Sequence, residues 1–83
     1  MTEFISKELQ VSAVTLAEES SFIAAARRLH TSPAILHVQM SELATILTCP
    51  LFREDGDRVE VTKDGEVLIN AFRSFLERTN GMK

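Results

Sequence analysis

Three stretches of helix-spaced apolar residues and a very short turn between the second and third predict a mainly α fold. A hairpin signal ahead of a fourth helical stretch adds a small β appendage. The first helix is expected over residues 6–19. Ser6 caps it, Glu8 lies near its positive end, and Leu9, Ala13, Leu16 and Ala17 recur at helical spacing. Ser20 and Ser21 break that pattern and offer a cap to a second helix, 22–29. Its Ala24, Ala25 and Ala26 are strong helix formers whose small side chains permit close packing.

Ser32 followed by Pro33 reads as an N-cap and first helical residue, because proline needs no amide partner there. A third helix, 32–47, follows with Ile35, Leu36, Gln39, Met40 and Leu43 at three- and four-residue steps, extended by Ile46 and Leu47 until Pro50 stops it. The turn between the second and third helices is then about three or four residues, the length of a helix-turn-helix. A wing is expected over residues 51–61. Strands at Leu51–Arg53 and Arg58–Val61 flank a turn of Glu54, Asp55, Gly56 and Asp57. Thr62 caps a last helix, 63–79, with Asp64 and Glu66 near its start, Arg73 and Arg78 nearer its end, and Asn80 and Gly81 closing it. The whole is a winged helix-turn-helix in a single domain, 1–83, with three helices, a two-stranded wing and a C-terminal helix suited to dimerisation.

Length and composition set the outer bounds. A domain of 83 residues buries only roughly 60% of the surface its unfolded chain exposes, so pairing is a natural remedy for its small core. Apolar residues at 45% and charged residues at 25% match a soluble globular protein. No apolar run is long enough to span a bilayer and no charged leader precedes an apolar stretch, which excludes a membrane partner and places the chain in the cytoplasm. A single Cys49 is packing, and His30, His37 and Cys49 lack metal-ligand spacing, so neither metal nor cofactor is expected. No nucleophile and base pair, phosphate-cradling loop or paired carboxylates can be assembled, which argues against an enzyme.

The segments AEESSFIAAARRLHTSPAIL and PLFREDGDRVEVTKDGE resemble the N-terminal DNA-binding domain of LysR-type regulators over about residues 9 to 78. The family pattern is met at Ala17, Glu18, Ser21, Phe22, Ala25, Ala26, Leu29, Ser32, Pro50, Leu51, Phe52, Thr62 and Gly65. Several matches in order, with the right gaps, are more specific than any single motif. The resemblance implies that the third helix reads bases, the wing touches the DNA backbone and the last helix pairs subunits. On that reading the protein is a transcription regulator acting as a homodimer on double-stranded DNA, without the effector-binding domain usual in the family.

Candidate contacts follow from that layout. Arg27 and Arg28 lie where a helix-turn-helix crosses the backbone, and Thr31, Ser32 and Pro33 stand at the N-terminus of the third helix, where amides and a hydroxyl meet phosphate. His37, Val38 and Gln39 are placed to reach base edges, although Gln39 equally suits packing. Arg53 and Arg58 belong to the wing. The resemblance puts Ser and Arg where this chain has His37 and Val38, so the arginine that forks onto guanine is missing. Glu54 stands where the family motif has an arginine, with Arg53 one place away.

Charge opposes this reading. The formal net charge is −3, and residues 53–66 carry Arg53, Arg58 and Lys63 against six acids, which accounts for the whole deficit. An anionic hairpin is repelled by phosphate within a Debye length of about 8 Å unless its acids point elsewhere. The alternative is therefore a winged helix that has lost DNA reading and modulates a true regulator by pairing with it. Leu68, Phe72, Phe75 and Leu76 form an apolar stripe on the last helix that either packs on the domain or joins a second copy.

Overall fold

The computed structural model describes residues 5–81 as four helices and a two-stranded sheet. Residues 1–4 and 82–83 of the expected single domain lie outside the described residues. Each of the first three helices opens on a serine. Ser6 Oγ accepts from the Leu9 amide at 3.1 Å ahead of α1 (Lys7–Glu19). Ser21 does the same for Ala24 at 3.2 Å ahead of α2 (Phe22–Leu29), and Ser32 for Ile35 at 3.1 Å ahead of α3 (Pro33–Leu47). Each hydroxyl satisfies a first-turn amide that has no partner inside its helix.

The same helices end on left-handed residues that are not glycine: Ser20 at φ 59°, His30 at 58° and Thr48 at 58°. These let the chain reverse tightly. The Ser20 amide donates to Leu16 O at 2.8 Å, and the Thr31 amide to Ala26 O at 2.9 Å, which closes the short turn into α3.

α1 is the axle of the domain and packs against α2, α3, α4 (Lys63–Gly81) and the second strand. Ala13 and Leu16 of α1, Ala25 of α2, and Leu36 and Leu43 of α3 are fully buried together. The alanines allow helix backbones to approach closely, so α3 is held at a fixed angle with its other side outward. Ile69 and Phe72 of α4 complete the core at 3% exposure each. No described helix is long and apolar enough to cross a membrane.

The wing pairs β1 (Phe52–Asp55) antiparallel with β2 (Arg58–Val61), Phe52 opposite Val61 and Asp55 opposite Arg58. The expected strand ending at Arg53 is thus too short: Glu54 and Asp55 belong to the ladder, and the turn is Gly56–Asp57 alone. Gly56 at φ +64° supplies the positive dihedral that a two-residue turn requires, so no longer loop is needed. The Val59 amide donates to Ser20 O at 3.0 Å, tying the wing to the α1–α2 corner.

A second tie holds the wing to α4. The Thr62 amide donates to Leu51 O at 2.9 Å, its hydroxyl donates to Pro50 O at 2.8 Å, and the Gly65 amide donates to that hydroxyl at 2.9 Å. A Cβ at residue 65 would run into the Leu51 carbonyl oxygen, which is why glycine stands there.

Two outcomes are expected in urea unfolding. Ser20→Gly and Thr48→Gly each raise stability by about 1 kcal/mol by relieving the left-handed conformation; a lowered midpoint in both would show that the side chains hold these turns. Gly65→Ala lowers stability by about 1–3 kcal/mol through overpacking against Leu51, and a neutral result would mean that the junction opens without cost.

Candidate nucleic-acid interface

The helix-turn-helix leaves one side of α3 in water. Leu36, Met40 and Leu43 point into the core, so the helical period turns Ala34, Ile35, Val38, Ser41, Glu42 and Thr45 outward. Val38 stands in the middle of this face at 59% exposure, with Ile35 one turn before it at 53%. No Lys or Arg occurs anywhere from Pro33 to Leu47. Pro33 is exposed at the start of the helix, and Thr31 is half-buried in the turn. The Ser32 hydroxyl already accepts from the Ile35 amide. Gln39 does not join the outer face: it is half-buried toward α1, lining a cleft with Val11 and Ser12, and its Oε1 is buried without a hydrogen-bond partner among the described residues.

The expected cations divide into paired and unpaired sets. Arg28 is exposed, but its guanidinium reaches Glu18 at 2.8 Å and Glu19 at 3.0 Å. Its hydrogen bond with Glu19, and then that with Glu18, hold the guanidinium even more firmly protonated than usual. Glu18 also meets Arg73 of α4 at 3.8 Å, so these charges brace α1, α2 and α4. Arg53 of the wing is bound to Glu60 at 3.0 Å. Arg27 and Arg58 are exposed and make no ion pair among the described residues.

Register decides where the wing's acids go. Directly opposed residues of an antiparallel pair share a face. Phe52, Val61, Glu54 and Val59 therefore line the face toward the helices, and Arg53, Glu60, Asp55 and Arg58 the outer face. Outside, each acid sits across from an arginine. Inside, the Glu54 carboxylate meets His37 Nε2 of α3 at 3.0 Å, and the His37 ring rests 5.1 Å from that of Phe22. Asp64 and Glu66 occupy the first turn of α4, where the helix dipole favours them. Asp57, exposed in the turn, shares a cleft with Glu54 and with Arg27 of α2.

Residues 9–66 match the model of the bacterial regulatory helix-turn-helix proteins of the lysR family. The chain belongs to the LysR family. It is 36% identical over 63 residues to the RuBisCO operon transcriptional regulator of Acidithiobacillus ferrooxidans, a match covering 76% of this chain and 20% of that protein. The chain thus spans about a fifth of the length of the curated relative it matches. Its backbone superposes on the DNA-binding domain of CbnR in complex with DNA at a TM-score of 0.89 and 26% identity, covering 94% of this chain and 90% of that one. Full-length OxyR from Pseudomonas aeruginosa gives a TM-score of 0.87 at 29% identity, over 94% of this chain and 26% of that one. This is a winged helix-turn-helix module of the kind that transcription regulators carry.

In this LysR-family domain the last helix has two faces that sequence spacing alone runs together. Phe72, expected at a subunit interface, is buried in the domain's own core beside Ile69, and Leu68 and Leu76 are half-buried. The outward stripe is instead Val67, Ala71 and Phe75, at successive four-residue steps, with Val67 70% and Phe75 42% exposed. Of the four residues expected at the interface Phe75 alone is exposed, and Val67 was not among them. Its spacing from Ala71 and Phe75 was the available signal. The Arg28 clamp was also missed, since Glu18 and Glu19 become its neighbours only when α1 and α2 fold together.

Proposed function

We propose that the domain binds double-stranded DNA as a homodimer, with α3 in the major groove, the wing along the phosphate backbone and α4 pairing the subunits. The observation that carries this reading is the sorting of the wing's acids. Glu60 pairs with Arg53 and Glu54 with His37. Arg27 of α2 and Arg58 of the wing are exposed and make no ion pair among the described residues, Arg58 lying across from Asp55 and Arg27 sharing a cleft with Glu54 and Asp57. A helix-turn-helix sets the N-terminal part of its second helix against base edges while the first crosses the backbone. Arg27 on α2 and the α3 N-terminus, with its outward Pro33, suit those positions, and the likeness to a CbnR DNA-binding domain solved in complex with DNA supports DNA as the ligand. Arg28 serves the fold more than the ligand.

Dimerisation is supported by Val67, Ala71 and Phe75, an apolar stripe that a second copy of α4 would cover. The absence of cations on α3 favours a second reading, in which the outer face of α3 pairs with another protein and DNA is not bound.

Fluorescence titration against random-sequence duplex separates the two. Micromolar binding at low salt is expected, falling steeply as salt rises. Arg27→Ala and Arg58→Ala each weaken it and lower the log–log salt slope by about 1, Arg28→Ala changes the slope less, and Glu54→Gln strengthens binding; no binding at any salt removes the DNA reading. Sedimentation at tens of micromolar is expected to give a dimer, and Val67→Glu a folded monomer. A wild-type chain that stays monomeric would refute pairing through α4.

A further inference from the structure

We propose that α3 recognises the C5-methyl groups of thymines in the major groove through Val38 and Ile35, and that it selects A·T pairs against guanine. The inference rests on the DNA-binding reading above and names what that surface reads. Two large aliphatic side chains, one turn apart on the same helix face, stand more than half exposed at the N-terminal half of α3, with Ala34 exposed beside them. This is the part of a helix-turn-helix that meets base edges. Among the groups that base pairs present in the major groove, the thymine methyl is the apolar one, and covering it removes both partners' apolar surface from water.

The rest of the face argues against guanine. Guanine offers only the acceptors N7 and O6 there, and its usual partner is a cationic fork. α3 has no such donor over Pro33–Leu47. One turn beyond Val38, the Glu42 carboxylate is also exposed; it can only accept, so it supplies no donor to guanine N7 or O6. His37, the nearest side chain able to donate, is held at the edge of the face by Glu54 at 3.0 Å and stacked near Phe22. An apolar centre with no cationic donor on its helix suits thymine and leaves guanine without its usual partner.

The test starts from a randomised duplex pool enriched on the wild-type protein and sequenced. Enrichment of thymine or its paired adenine at the α3 positions is expected. The winning duplex is then compared with the same duplex carrying deoxyuridine at those positions, which removes the methyl and nothing else. Wild type should lose about fourfold in affinity for each methyl removed. The double variant Ile35→Ser with Val38→Ser, checked for wild-type circular dichroism, should bind the two forms equally while keeping the wild-type salt dependence on random duplex. Val38→Arg should shift enrichment toward guanine. Equal wild-type affinity for the thymine and uracil duplexes, guanine enrichment by the wild type, or an intact thymine preference in the double serine variant would each overturn the inference. Failure to bind any duplex at low salt would overturn the DNA reading beneath it and leave this apolar face to a protein partner.

Discussion

Everything in this small domain depends on how closely its helices approach α1. Ala13 on α1 and Ala25 and Ala26 on α2 bring no more than a methyl to the contact, and all three are at or below 1% exposure. The two backbones can therefore sit near each other, and tight left-handed turns at Ser20 and His30 close the chain between the helices. Leu36 and Leu43 dock into the same core, which fixes the rotation of α3 about its own axis. The outward direction of Val38 is a consequence of that packing: two buried leucines on the opposite side leave it nowhere else to point. The exposed face of α3 is thus set by the residues on its buried side.

The same packing governs the electrostatics. An acid-rich hairpin beside a proposed polyanion site would oppose docking if its carboxylates formed one sheet of charge. Two backbone ties, one from Val59 to Ser20 and one from Thr62 to Leu51, set which face of the hairpin turns toward the helices. With that face fixed, strand alternation sends Glu54 inward to His37 and leaves Asp55 and Glu60 outward opposite Arg58 and Arg53. Exposed pairs of this kind contribute little to stability. Their effect is on the field that an approaching ligand meets, and on which arginines remain available to it. Glu18 and Glu19 act similarly on Arg28, taking one of two adjacent arginines out of use while Arg27 stays exposed.

Local signals carried most of the fold. Ser6, Ser21 and Ser32 mark helix starts, Pro33 and Pro50 bracket the third helix, and Gly56 marks the turn; each works within a few residues of itself, so no distant part of the chain is needed to read it. The wing's extent was less legible, because Glu54 and Asp55 are poor strand formers by composition and enter the ladder only through their pairing with Val59 and Arg58. In the site, the absence of an arginine at residue 38 was plain from the residues. The partners of the residues present were not.

The sequence by itself determined the order and type of the elements, the helix-turn-helix spacing, the family resemblance and the deficit of positive charge, since these reside in residue identity and short-range spacing. Tertiary structure decided which cations stay unpaired, where the wing's carboxylates point, that Gln39 faces α1, and that Phe72 belongs to the core while Val67 faces out. The physical reason is range. Hydrogen-bonded caps and turns act between near neighbours along the chain, whereas ion pairs and burial depend on side chains that meet only after α1 has gathered α2, α3, α4 and β2 around it.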